Sequence, residues 1–173
     1  MATNTLKILK FPDPRLRTVA KKVTKFDKSL EKLAKNMLAT MYEDNGIGLA
    51  ATQVDHHIRL IVMDLSDERD QPMYFVNPEY KILDNHSLFS FEEGCLSVPG
   101  FNETISRPDK IDLIYQDLKG NIHHEQPEGL LTVCIQHEMD HLEGKLMVDY
   151  ISPIKEIELE RSYLSNLADF KGF

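Results

Sequence analysis

Several features that would place this sequence in a special class are missing from it. No apolar run approaches the ~18 residues that span a bilayer, and no internal repeat, low-complexity tract or Gly/Ser linker interrupts the 173 residues. We therefore expect no membrane association and a single domain over residues 1–173 with a buried core. Met1–Arg17 mixes charges with two prolines and lacks the apolar stretch of a signal peptide, which favours a cytoplasmic protein.

Positive charge and cysteine are also scarce. The chain has 20 Lys and Arg against 28 Asp and Glu, a net charge of −8, so direct nucleic-acid binding is not expected, because phosphate neutralisation needs excess basic residues. The two cysteines are Cys95 and Cys134. Without a secretory signal, each is predicted to be a ligand, a nucleophile or a buried apolar residue rather than half of a disulfide.

The spacing of apolar residues predicts an α+β fold. A helical face repeats between Asp27, a suitable N-cap, and Asn45-Gly46, a suitable left-handed stop. Helical spacing returns between Gly129 and Gly144, and a last helix is predicted to start at Ser152-Pro153. Strand-like segments lie between the first two helices: Ile58–Leu65, Met73–Val76, Tyr80–Leu83, Ser87–Phe91 and Ile111–Tyr115, with a hairpin turn at Lys119-Gly120-Asn121. We expect antiparallel or mixed β-sheets surrounding a central metal-binding helix, with an N-terminal and a C-terminal helix.

The metal-binding prediction comes from the segment Gln136–His141. His137 and His141 are four residues apart, so on a helix both imidazoles can reach one ion. Glu138 lies one step round the helix, where a carboxylate can take a proton from water at that ion. The alternative is two solvated histidines on a helix face, but the apolar segment just before them indicates a helix that enters the core.

A catalytic ion needs a third protein ligand and an open position. Cys95, in a Gly-bearing segment at the end of a strand-like run, is the stronger candidate, although spacing alone leaves its role open. Cys134 is predicted to be a core or pocket-wall residue. The remaining histidines have polar neighbours and are interpreted as surface or turn residues: His56, His57, His86, His123 and His124.

A second segment of interest, Gly46–Gln53, follows the first predicted helix. Its glycine spacing fits no phosphate-binding loop. Two glycines and two alanines allow another backbone, such as an extended peptide, to approach closely. Gln53 could donate to a developing oxyanion, or it could merely satisfy backbone groups in a tight turn.

Three segments in this order resemble the signature motifs of peptide deformylases: Gly46–Gln53, Glu93–Ser97 and Gln136–Gly144. The likeness extends over nearly the whole chain, and within the family the chain looks like the type 1 bacterial branch. It implies a hydrolase of protein biosynthesis that removes the formyl group from N-formylmethionyl nascent peptides and releases formate. Transient association with the ribosome is a further expectation.

The resemblance also implies roles for individual residues. Cys95, His137 and His141 would hold one divalent ion, iron(II) in that family, although zinc, nickel or cobalt also suits such a ligand set. Glu138 would be the general base and acid. Gln53 and the backbone N–H of Leu96 would stabilise the oxyanion. The substrate would be bound by backbone at Ile47 and Gly48 and by a methionine pocket to which Phe91 and Cys134 contribute.

One part of the sequence departs from the family pattern. Many bacterial relatives carry an acidic and then a basic residue after the proline of the second motif, whereas Pro99 is followed here by Gly100-Phe101-Asn102. Arg107 is a candidate replacement for gripping the peptide, or alternatively a surface or ion-paired residue. Two other functions remain open: a zincin-type metallopeptidase, which shares His-Glu-x-x-His but here lacks an obvious downstream ligand, and a non-catalytic metal-binding relative.

Overall fold

The computed structural model describes residues 3–170, with side chains described up to residue 165. This part of the chain contains three α-helices: α1 (Lys28–Glu43), α2 (Leu130–Leu142) and α3 (Pro153–Phe170). Its seven strands are β1 (Gly48–Ala50), β2 (Leu60–Met63), β3 (Met73–Ile82), β4 (Leu88–Cys95), β5 (Val98–Pro108), β6 (Ile111–Gln116) and β7 (Ile122–Glu125). Short 3₁₀ helices occur at Pro14–Arg17, Ala51–Val54 and Met147–Tyr150.

The strands form two antiparallel sheets. One has five strands in the order β1-β2-β3-β6-β7, and the other is the β4–β5 pair. The predicted α+β class, with a helix at each end and sheets around a central helix, is therefore confirmed. Among residues 3–170, no helix is both long enough and apolar enough to cross a membrane.

The five-stranded sheet lies between α1 and α2. On β2, Leu60 and Val62 belong to the core cluster shared with α1, while Ile61 and Met63 belong to the cluster shared with α2. All four residues are buried because both faces of the sheet are covered. Most of α2 is likewise buried, and this burial on several sides brings its polar residues into the interior.

The predicted helix ends follow the expected capping chemistry. Asp27 accepts a hydrogen bond from the Leu30 N–H at 3.1 Å, which satisfies one free donor of the first turn of α1. Asn45 has a φ of 59°, the left-handed conformation that was predicted to stop this helix. At the last helix, the Lys155 N–H donates to Ser152 Oγ at 3.2 Å.

The strand predictions differ from the structure in a break and in an omission. The segments Met73–Val76 and Tyr80–Leu83 are strand as predicted, up to Ile82, but they form one strand, β3, because a register shift between Val76 and Glu79 carries the chain past Asn77-Pro78. No strand was predicted at Val98–Pro108, although β5 is the longest in the structure. Its two prolines, its glycine and its many polar residues are not typical of a strand. The segment forms one mainly because it pairs with β4.

Candidate active site

Helix α2 and the end of β4 bring three candidate ligands together. The ligand atoms of Cys95, His137 and His141 lie within 4.8 Å of one another. Cys95 Sγ is 3.3 Å from His141 Nε2, and the two imidazole rings are 5.1 Å apart, centre to centre. One ion at about 2.0–2.3 Å from each atom requires ligand atoms about 3–4 Å apart, so this donor set fits a single divalent metal.

Cys95 reaches this position because of an irregularity in the β4–β5 pair. The strand register shifts between Gly94 and Cys95, so that Cys95 pairs with Val98 across the two-residue turn Leu96-Ser97. The shift changes the direction of the thiol at the strand end, as bulges near functional sites commonly do. Both cysteines are free, in agreement with the prediction that no disulfide joins them.

A buried ionic cluster orients His137. His137 Nδ1 is 2.9 Å from Glu93 Oε1, so its N–H donates to this carboxylate and leaves Nε2 for an ion. Arg107 donates to both oxygens of Glu93 at 2.6 and 2.9 Å and to Asp140 at 3.0 Å. The Tyr150 hydroxyl also donates to Asp140, at 2.7 Å.

Of the two interpretations of Arg107, the structure agrees with an ion-paired residue and not with a residue that grips the substrate. Its side chain is 4% exposed, pairs with Glu93 and Asp140, and does not line the pocket. Glu93, which orients His137, was missed as a functional residue. The signal for it was weak: Glu93 lies two residues before Cys95, but the register shift between Gly94 and Cys95 interrupts the alternation that would place both on one face of a regular strand.

Burial and neighbouring charges shift the pKa values of this cluster. Burial raises the pKa of Glu138 to about 7. Burial also opposes protonation of His137, but hydrogen bonds with Cys95 and Glu93 outweigh it and raise the pKa of this imidazole. For Glu93, the cost of burial is outweighed by the hydrogen bonds from His137 and Arg107, which lower the pKa of the carboxyl. Burial lowers the pKa of His141 well below its usual value.

Glu138 lies between the ligands and strand β1. Its Oε1 is 3.7 Å from His137 Nε2. Its Oε2 is buried and has no hydrogen-bond partner in the described part of the chain, so it is available to a water or a substrate. A Cβ on Gly48 would lie 3.2 Å from this Oε2, which shows that the glycine leaves the space that the carboxylate needs.

Gln53 faces the same group of residues from the 3₁₀ helix Ala51–Val54. Its Oε1 accepts a hydrogen bond from the Ala50 N–H at 2.9 Å, which fixes the orientation of the amide. Its Nε2 donates to Ser97 Oγ at 3.0 Å and lies 3.6 Å from Cys95 Sγ. The amide donor is therefore directed towards the thiol and the pocket.

These residues surround a pocket of about 770 Å³. The candidate catalytic groups Gln53, Leu96 and Glu138 line it, as do the ligands Cys95 and His137. The predicted substrate-binding residues line it as well: Ile47, Gly48, Phe91 and Cys134. Gly100, Phe101 and Asn102 also belong to its wall.

The other histidines do not belong to this site. His57 pairs with Asp55, His123 with Asp117 and His124 with Asp112. His86 is hydrogen-bonded to the Leu83 carbonyl and, like His56, is exposed.

Comparison with known proteins identifies relatives over nearly the whole chain. The sequence model of the family described as polypeptide deformylase matches residues 5–156. A peptide deformylase of Cellvibrio japonicus is 57% identical over 150 residues, which cover 87% of this chain and 88% of the relative. One of Pseudomonas aeruginosa is 52% identical over 156 residues, covering 90% and 92%.

Solved structures agree with these sequence relationships. The crystal structure of a peptide deformylase from Legionella pneumophila matches with a TM-score of 0.87 at 42% identity, covering 96% of this chain and 98% of the other. That of the peptide deformylase from Ehrlichia chaffeensis in complex with actinonin matches with a TM-score of 0.88 at 35% identity, covering 94% and 98%.

Proposed function

The chain belongs to the peptide deformylase family, and from this premise we propose how its own residues perform the reaction. Deformylation removes the formyl group from N-formylmethionyl nascent peptides and releases formate, so the protein is a hydrolase of protein biosynthesis. A zincin-type peptidase is not favoured. The observation that carries the proposed roles is the buried carboxylate of Glu138, with one unpartnered oxygen, beside a Cys-His-His group in a pocket.

The family is metal-dependent, and Cys95, His137 and His141 are the residues that would hold the ion. A thiolate and two imidazoles suit several divalent metals, and we propose iron(II) on the strength of the family resemblance. When bound, the ion supplies Lewis acidity to the site. Glu93 supports the ligand set by holding the His137 ring in a fixed orientation.

Glu138 is proposed to move the protons. Its carboxylate accepts a proton from the water that attacks the formyl carbon, and it then delivers this proton to the departing amine nitrogen. Oε2 has no partner in the described chain, and the side chain is 3% exposed. Bulk water therefore has little access to the carboxylate, which stays free to exchange protons with groups inside the site.

Two donors are proposed to stabilise the negative charge that develops on the formyl oxygen. The Gln53 amide is held by Ala50 and Ser97, and the Leu96 N–H belongs to the turn that follows Cys95. Donors that are already oriented lower the barrier because they need no rearrangement during the reaction.

Strand β1 is proposed to bind the peptide backbone. It is at the edge of the five-stranded sheet, so backbone groups at Ile47 and Gly48 can pair with an extended substrate as with an added strand. Phe91 and Cys134 are proposed to contact the methionine side chain, because both line the same pocket. Action in the cytoplasm and transient ribosome association are further proposals, which rest on the nascent state of the substrate.

Formate release from formyl-Met-Ala by anaerobically prepared protein, with the metal content determined on the same sample, tests this function. We expect Glu138→Ala to retain its metal and to lose about 10⁴-fold in kcat, the upper range for general acid–base catalysis. Glu143→Ala is a matched control, since this exposed glutamate lies just after the same helix and should leave kcat unchanged. Near-normal turnover by metal-loaded Glu138→Ala would contradict the proton-transfer role.

A further inference from the structure

The segment Leu9–Phe11, here called the N-terminal strap, contacts both elements that carry the proposed oxyanion donors. The Leu9 N–H donates to the Gln53 carbonyl at 2.7 Å, and the Phe11 N–H donates to the Ser97 carbonyl at 2.8 Å. The strap thus joins the Ala51–Val54 helix to the turn between β4 and β5.

Lys10 lies between these two backbone contacts and adds a third. Its ammonium donates to the Leu96 carbonyl at 2.9 Å, a contact between residues 86 positions apart. Leu9 and Phe11 are buried, at 4% and 5% exposure, whereas Lys10 is exposed and lines the pocket. The neighbours of Lys10 therefore anchor the strap in the core, while its own side chain reaches over the turn.

We infer that Lys10 is a positioning residue for the oxyanion hole. This inference rests on the proposed role of Leu96, whose N–H direction depends on the backbone angles of a two-residue turn. The ammonium holds the carbonyl of that same residue through a charge-assisted hydrogen bond, which is stronger than a neutral one. Lys10 also lines the pocket in which negative charge is proposed to develop.

The contact is suited to this role rather than to holding the fold together. An exposed lysine contributes little to packing, and the buried side chains on either side of it already fix the strap. A small change in the direction of a catalytic donor is costly, because misplacement by about 1 Å can reduce rates about a hundredfold. Loss of the Lys10 contact should therefore reduce kcat without unfolding the protein.

Lys10→Met, measured in the metal-loaded enzyme with formyl-Met-Ala, tests the inference. We expect kcat to fall about tenfold, with KM, the thermal midpoint and the metal content unchanged, since neither the core nor the substrate contacts are altered. Lys10→Arg keeps a charged donor of similar reach and should restore most of kcat. Lys7→Met is the matched control: Lys7 is exposed, lies outside the pocket lining and makes no hydrogen bond within the described residues, so kcat should not change.

The outcomes separate this inference from the proposed function. A wild-type kcat in Lys10→Met, a rise in KM alone, or a loss that arginine does not restore would each overturn the positioning role. An equal loss in Lys7→Met would also overturn it, because it would indicate a general effect of net charge. Absence of formate release by the wild-type enzyme would instead reject the proposed function itself.

Discussion

The two walls of the pocket are held in place by different kinds of interaction. On one side, the ligands of α2 and β4 are supported by buried charges: Arg107 bridges Glu93 and Asp140, and Glu93 orients His137. On the other side, Gly46–Gln53 is held mainly through its backbone. The Asp64 N–H donates to the Ile47 carbonyl at 2.9 Å, and the Leu9 N–H donates to the Gln53 carbonyl.

This difference predicts different sensitivities to substitution. Buried charges are stable only as a matched set, since removing one partner leaves the others without compensation in a medium that solvates them poorly. A wall held through its backbone tolerates changes of side-chain charge, but not of volume, where its glycines approach other groups closely. Three substitutions test this comparison, from the largest expected effect to the smallest.

Arg107→Met should be the most costly change, because it leaves Glu93 and Asp140 buried without their shared cation. We expect the free energy of unfolding to fall by about 3–5 kcal/mol, the usual cost of breaking a buried pair. Urea unfolding at a fixed metal concentration measures it. Arg17→Met is the matched control, since Arg17 pairs with Asp149 but is 39% exposed, and it should cost about 1 kcal/mol or less. Equal losses of unfolding free energy in the two variants would contradict the comparison, because the buried charges would then be no more sensitive than an exposed ion pair.

Gln53→Ala should affect catalysis on the backbone-held wall. Loss of one oxyanion donor costs about 10²–10³ in kcat, equivalent to about 2.7–4 kcal/mol of transition-state stabilisation. Formyl-Met-Ala kinetics of the metal-loaded enzyme measure the loss, with Gln126→Ala as the control at an exposed glutamine. If Gln53→Ala changed KM but kept its kcat, Gln53 would bind the substrate rather than stabilise the oxyanion.

Gly48→Ala should have the smallest effect of the three and acts where the two walls meet. The added Cβ would lie 3.2 Å from Glu138 Oε2, so the carboxylate must move by a few tenths of an ångström. We expect kcat to fall about tenfold from this misplacement. A double-mutant cycle identifies the cause: Gly48→Ala should have no further effect on kcat in a Glu138→Ala background. Additive losses in the cycle would indicate that the alanine disturbs the substrate strand instead.

Much of the fold could be predicted because its signals are local. The helix at Lys28–Glu43 has a regular apolar face and a capping aspartate, and both depend only on residues within a few turns. Strand β5 could not be predicted in this way. Its residues carry prolines, a glycine and many polar side chains, and pairing with β4 is what makes the segment a strand.

In the candidate site, too, relations between residues close in the sequence could be predicted, and relations between distant residues could not. The spacing of His137, Glu138 and His141 follows from helix geometry. The glycines at 46 and 48 predicted a close approach of another backbone, whereas the groups that the structure places against them are the side chains of Leu96 and Glu138. Cys95 was proposed as the third ligand, but spacing alone left its role open, and only the motif resemblance favoured it. Arg107 was interpreted without its partners, since nothing in the sequence pairs it with Glu93 or Asp140.

The sequence by itself determined the class of the fold, the capped helices and the pair of histidines with the glutamate between them, because backbone geometry relates residues three or four positions apart. Tertiary structure alone decided which distant groups meet: Cys95 with His141 across 46 positions, and Lys10 with Leu96 across 86. These contacts depend on strand register, on a bulge at Gly94-Cys95 and on burial of charge, and each of these is a property of the whole folded chain.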